Sequence, residues 1–172
     1  RAGGGFTRRA NSCHAVGDPG MPIQQAAEQI IRFALAHDIS PLAQVIEGSP
    51  EEHALRRLGW VSTDEPTAVL ASRLADFLRG RRAEPAADIA QTLRPDWEEA
   101  YQLSRPNAAD PAIVRMILEG NPPVAFAAVA GHRADDHSEL VAIARGHRNE
   151  DWLGLGSIWT RPDHRRRGLA TA

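Results

Sequence analysis

Apolar and polar positions follow two rhythms along this chain, and the change from one to the other divides it. Over residues 22–37 the spacing is helical: Ile23, Ala27, Ile30, Ile31, Ala34 and Leu35 share one face, and Pro22 suits a first turn. His37 falls in the last turn, where a cation is mildly favoured, and no metal partner accompanies it. Residues 41–46, with Leu42, Val45 and Ile46, read as a short buried strand. Ser49-Pro50-Glu51-Glu52 is a capping box with proline at the first helical position. The helix it starts has Ala54, Leu55 and Leu58 as its stripe and stops at Gly59. Residues 67–74 predict a further strand. Upstream, residues 6–16 suit a strand closed by the turn Gly17-Asp18-Pro19-Gly20. There Arg9, Asn11 and Ser12 could line a polar pocket, although such residues more commonly face water.

The pattern lapses over residues 79–87, a charged linker, and then resumes. Residues 95–104 (Trp97, Ala100, Tyr101) and 111–119 (Ile113, Val114, Ile117, Leu118) predict two amphipathic helices. Asp110-Pro111 opens the second and Gly120 closes it. From there the runs become short and β-rich. Residues 124–130 and 140–145 predict an antiparallel hairpin around a charged turn at 131–139. A third run, Trp152, Leu153, Leu155, Ile158 and Trp159, reads as a buried strand over 152–160, and Pro162 ends it because proline cannot donate to the ladder.

Composition narrows the class. At 172 residues the chain is long enough for one ordinary domain or two small ones, and 42% hydrophobic content can supply a core. All 20 basic residues are arginine, the signature of a GC-rich, actinobacterial-type genome rather than of a function. A net charge of −2 argues against nonspecific nucleic-acid binding, despite the local spot at Arg165 to Arg167. The single cysteine, Cys13, excludes an internal disulfide and a cysteine-based zinc site, and no metal is expected. No apolar run approaches the roughly 20 residues that span a bilayer, so the expected location is the cytoplasm.

One stretch carries chemistry. After the last strand comes Arg165-Arg166-Arg167-Gly168-Leu169-Ala170, an R-x-x-G-x-A hexad followed by helix-compatible residues. A strand, a tight basic turn and a helix start leave several N–H groups unpaired and aimed one way, which suits a phosphate or pyrophosphate. It is not the three-glycine dinucleotide fingerprint, nor a P-loop, since no G-K-[ST] follows.

Strand, Thr160-Arg161-Pro162 and hexad together resemble motif A of the GCN5-related N-acetyltransferase (GNAT) superfamily. The resemblance implies an α/β fold with a mixed, mostly antiparallel sheet flanked by helices. It implies acetyl-CoA as cosubstrate, an amine acceptor and direct transfer in a ternary complex. By position, the strand end Ile158, Trp159 and Thr160 would hold the pantetheine arm and acetyl carbonyl, and Arg165, Arg166, Arg167, Gly168, Leu169 and Ala170 the pyrophosphate. A noncatalytic acyl-CoA-binding or scaffold module is the alternative. The expected partners are acetyl-CoA and the amine, with neither nucleic acid nor membrane, and a homodimer is left open.

The resemblance covers residues 88–172 as the first half of an acetyl-CoA-binding domain. Residues 1–78 resemble a second half, degenerate in that Leu55 stands where a general-acid tyrosine is common. This reversed order fits either a piece cut from a tandem protein or a circular permutation, and the first is favoured. Gly4 to Ser12 is similar to the opening run of an actinobacterial tandem group. The general acid is expected beyond Ala172. For the general base, Asp151 and Glu150 rank first because they adjoin the last strand, ahead of Glu139 and His147. Ser157 is a candidate to hydrogen-bond the acceptor, and Arg161 either steers an anionic acceptor or faces water.

Overall fold

The computed structural model describes residues 2–4, 6–63, 66–79, 87–105, 110–120, 122–132 and 138–171. Residues 80–86 of the expected linker and 133–137 of the expected hairpin turn lie outside them. The chain forms two compact units, Arg1–Ala71 and Ser72–Ala172.

In the first unit, β1 (Cys13–His14) pairs in parallel with β2 (Ala43–Gln44), and α1 (Ile23–Ala36) packs on α2 (Pro50–Arg57). The capping box forms: Ser49 Oγ accepts from the Glu52 N–H at 3.1 Å, and the Glu52 carboxylate accepts from the Gly48 N–H at 2.6 Å. The far end closes as a Schellman turn. Trp60 N–H donates to Leu55 O and Gly59 N–H to Arg56 O, with Gly59 at φ +88°. Ala27, Ala34 and Leu55 are the buried centre.

Three expectations change here. The strand over 41–46 shrinks to two residues, and Ile46 is exposed. No strand forms over 67–74; Val69 and Leu70 are about 90% and 91% exposed, and helix α3 (Leu74–Leu78) begins where the strand should end. Apolar character without a partner strand does not make a ladder. Asn11 and Ser12 do not face water but are buried in a 3₁₀ turn, Arg9–Asn11, and its exit. Asn11 donates to Thr7 O at 2.7 Å, and Ser12 accepts from Gln44 Nε2 at 2.6 Å.

The second unit adds β3 (Asp88–Ala90), α4 (Pro95–Ser104), α5 (Pro111–Glu119), β4 (Val124–His132), β5 (Ser138–Asn149) and β6 (Trp152–Thr160). Its four strands lie in the order β3-β4-β5-β6, every neighbour antiparallel. Helices flank this sheet, giving the mixed α/β fold expected. Trp97 of α4 anchors the packing: its ring stacks on Tyr101 at 5.6 Å, meets Phe126 edge-on at 5.1 Å, and its N–H donates to Ala127 O at 3.0 Å. Val114 and Leu118 bury one side of α5. Arg145 of β5 then caps that helix, donating to Leu118 O at 2.7 Å and Gly120 O at 3.1 Å. Burial pulls the Arg145 guanidinium below its ordinary pKa.

β6 forms over its expected residues, but it is not a buried strand. It is the outer strand of the sheet, and Trp152, Leu153, Leu155 and Ile158 are all more than half exposed. Only Ser157, Trp159 and Thr160 are partly covered, where α4 and the following turns reach the strand. No described helix is long and apolar enough to cross a membrane.

Candidate functional site

The sequence makes its sharpest turn where β6 ends. Thr160 still pairs with Ala142, and the Arg161 N–H extends the ladder by donating to Val141 O at 2.9 Å. Pro162 stops it and opens a 3₁₀ turn, Pro162–His164. Asp163 knots this turn: it accepts from Arg161 Nε at 2.9 Å and hydrogen-bonds His164 Nδ1 at 3.0 Å. The His164 hydrogen bond holds the Asp163 carboxyl below the usual carboxylate range. Arg161 also pairs with Glu139 of β5, so its charge is engaged at the sheet edge.

Two basic side chains brace the main chain instead of reaching outward. Arg165 Nε donates to Thr160 O at 3.1 Å, and the Arg167 guanidinium donates to Asp163 O at 3.2 Å. Arg166 at φ +62° and Gly168 at φ +78° are both left-handed. Two left-handed residues so close together turn the main chain sharply at the hexad. Leu169 is packed on Val129, Val141 and Ala142, which ties the turn to the sheet. The helix expected after the hexad appears, among the described residues, as a 3₁₀ turn over Leu169–Thr171.

Strand end and turn enclose a cavity of about 420 Å³. Ile158, Trp159, Thr160, Arg165, Arg166, Gly168, Leu169 and Ala170 line it; Arg167 does not. Two observations bear on what it can hold. The main-chain N–H groups of Arg166 and Leu169 make no hydrogen bond among the described residues. Thr160 Oγ1 is buried and likewise has no partner among them. Main-chain amides left open at the lining residues Arg166 and Leu169 fit a polar ligand with acceptor oxygens. A diphosphate between arginines suits that donor set.

The other nominated residues are placed elsewhere. Glu150 and Asp151 form the exposed turn that leads into β6, whereas the cavity lies at the strand's other end. Nine extended residues separate the two ends by roughly 25–30 Å. His147 pairs with Val124 and Gly154, also toward the far end. Glu139 is held by Arg161. Ser157 lies next to the cavity-lining residues, at φ +51°. Among the described residues no group of three or more His, Cys, Asp or Glu side chains could hold a metal ion.

A second cavity, about 460 Å³, lies within the first unit between α1 and the β1 segment. Val16, Ile23, Ile30, Phe33 and Leu42 give it an apolar lining, with Cys13 at one side; Asn11 and Ser12 of the expected polar pocket also line it, and Arg9 does not.

The chain belongs to the acetyltransferase (GNAT) family, whose model matches residues 86–172. That span takes in α4, α5, the three long strands and the whole basic turn. No curated protein and no solved structure matches the chain.

Proposed function

We propose that this chain binds acetyl-CoA at the end of β6 and transfers the acetyl group directly to an amine in a ternary complex. The carrying observation is the cavity where strand end and R-x-x-G-x-A turn meet, lined by Arg166 and Leu169 with their main-chain amides unpaired among the described residues. Arg166 and Leu169 amides take the diphosphate, assisted by the arginine charges, and Gly168 allows the close approach. Acetyl-CoA supplies an activated thioester whose carbonyl accepts an amine. The chain's own part is to hold that carbonyl against the β6 main chain and align the amine, which can account for most of the rate. The amine nitrogen bonds to the carbonyl carbon as the C–S bond breaks; the amine proton leaves to base or water, and the thiolate takes one up.

The placement of Asp151 and Glu150 supports leaving both out of the reacting centre, so the proposal gives neither a proton-transfer role. The acceptor belongs to the amine class. Calorimetric titration with acetyl-CoA, followed by a thiol-release assay over a panel of small and peptide amines, tests the reading. Micromolar binding with amine-dependent thiol release is expected. Binding with no turnover on any amine would favour the noncatalytic acyl-CoA module, and no binding would remove both.

A further inference from the structure

β5 runs past the end of β6. The last pair of their ladder is Ala142 with Thr160, whereas β5 starts at Ser138. Residues 138–141 therefore continue without a β6 partner, except where Val141 O accepts from the Arg161 N–H. Two side-chain ties hold the following turn to this overhang. One is apolar, Leu169 on Val129, Val141 and Ala142. The other is ionic: the Arg161 guanidinium pairs with Glu139 of β5 on one side and with Asp163 on the other, its Nε 2.9 Å from Asp163 Oδ1. The Arg161 and Glu139 side chains are 32% and 22% exposed, so water and salt screen this pair less than one on the open surface.

From Asp163 the connection runs on into the hexad. The Asp163 main-chain O accepts from the Arg167 guanidinium at 3.2 Å, and Arg167 stands between the left-handed Arg166 and Gly168. Glu139, Arg161, Asp163 and Arg167 thus link β5 to the stretch that carries the Arg166 and Leu169 amides. Neither Arg161 nor Glu139 lines the cavity.

We infer that Arg161 and Glu139 are positioning residues for the diphosphate: as a pair they pin the hexad turn to β5, so that the Arg166 and Leu169 amides are presented together. The inference rests on the acetyl-CoA reading above. Arginine suits the place because its planar fork holds two carboxylates in set directions, which the point charge of a lysine does not. For Glu139 the pinning role and simple charge predict opposite signs. A carboxylate near an anion site repels a diphosphate, so on charge alone its removal tightens binding. If the carboxylate pins the turn, its removal weakens binding.

The test is calorimetric titration with coenzyme A of the wild-type chain, Glu139→Gln, Arg161→Met, the double variant and Arg161→Lys. Glu139→Gln should lose about fivefold or more in affinity, and Arg161→Met at least as much. The double variant should lose no more than Arg161→Met alone, because the two side chains act as one tie. Stoichiometry should stay at the wild-type value throughout, since a variant that is merely less stable loses competent molecules and not the affinity of those that remain. Arg161→Lys keeps the charge without the fork and should fall between wild type and Arg161→Met. Glu139→Gln and Arg161→Lys nearly preserve side-chain size, which keeps the test open should Arg161→Met not fold. Unchanged or tighter binding in Glu139→Gln, additive losses in the double variant, or a lowered stoichiometry at constant affinity would each overturn the inference while leaving the binding site standing. A wild-type chain that does not bind coenzyme A would remove the acetyl-CoA reading and the inference with it.

Discussion

Two cavities of nearly equal size lie in the two units, about 460 Å³ in the first and about 420 Å³ in the second. Their walls differ in kind. In the first unit the buried polar side chains are already spoken for: Asn11 holds Thr7 O and the Gly3 N–H, and Ser12 is bonded to Arg9 O and Gln44. In the second unit a threonine hydroxyl and two amides stand without partners among the described residues. A hollow whose polar groups are satisfied can be a gap in packing. One lined by residues whose amides are left open offers donors to an anionic ligand. The contrast therefore assigns ligand chemistry by unsatisfied donors, not by volume.

Variants in the two walls should respond in opposite ways. The largest effect is expected in the first unit: Leu55→Ala removes a buried side chain, 4% exposed, at the α1–α2 contact. It should lower stability by about 2–5 kcal/mol, seen in urea unfolding, and leave acetyl-CoA affinity alone. A loss of affinity there without unfolding would break the comparison. In the second unit, Gly168→Val forces a β-branched residue into φ +78°. It should cost tenfold to a hundredfold in coenzyme A affinity by calorimetry, about 1.4–2.8 kcal/mol, with the circular dichroism spectrum retained.

A smaller and more diagnostic change is Thr160→Val. It deletes the unpartnered hydroxyl, so stability should hold or rise slightly, while acetyl-CoA affinity falls severalfold. Loss of both would mean the hydroxyl has a structural partner after all.

Both of these outcomes could be planned from the sequence, where Leu55 falls on a helix stripe and Gly168 in the hexad. Residues 152–172 announced themselves: a β-rich run, a proline and a hexad define strand, stop and turn by local chemistry alone, so the strand bounds and the cavity-lining residues were legible. The capping box at Ser49 and the helices opened by Pro95 and Pro111 were legible for the same reason. What failed depended on partners distant in the chain. Residues 67–74 look like a strand, yet no described strand pairs with them. Trp152 and Leu153 look like core, but strand order puts them on the rim. Adjacency in sequence also drew attention to Asp151 and Glu150, although a strand carries its two neighbours to opposite ends of a sheet.

Two pH effects sharpen the comparison further. Burial raises the Tyr101 pKa above its ordinary 10.0, with the Arg105 charge pulling the other way. A raised pKa means stability that is full below about 10 and lost as pH climbs through the folded value. Unfolding of the second unit should therefore ease in strong alkali, and Tyr101→Phe should flatten that arm of the profile. Asp163 has the opposite sign. Its lowered pKa gives stability present above 3.8, lost as pH falls through the folded value. Asp163 is fully exposed, so the acid effect should be slight and confined to the turn. Smallest of all, Asp151→Asn and Glu150→Gln should leave amine-dependent thiol release within twofold of wild type. A loss of more than tenfold in either would return a carboxylate from the far turn to the reacting centre.

Amide resonances give the most direct reading of the central claim. On titration of ¹⁵N-labelled chain with coenzyme A, the N–H signals of Arg166 and Leu169 should move first and farthest. Thr160 should follow, and Val16, Phe33 and Leu42 of the first cavity should stay still. Saturable shifts confined to the first cavity, or none at Arg166 and Leu169, would contradict the account.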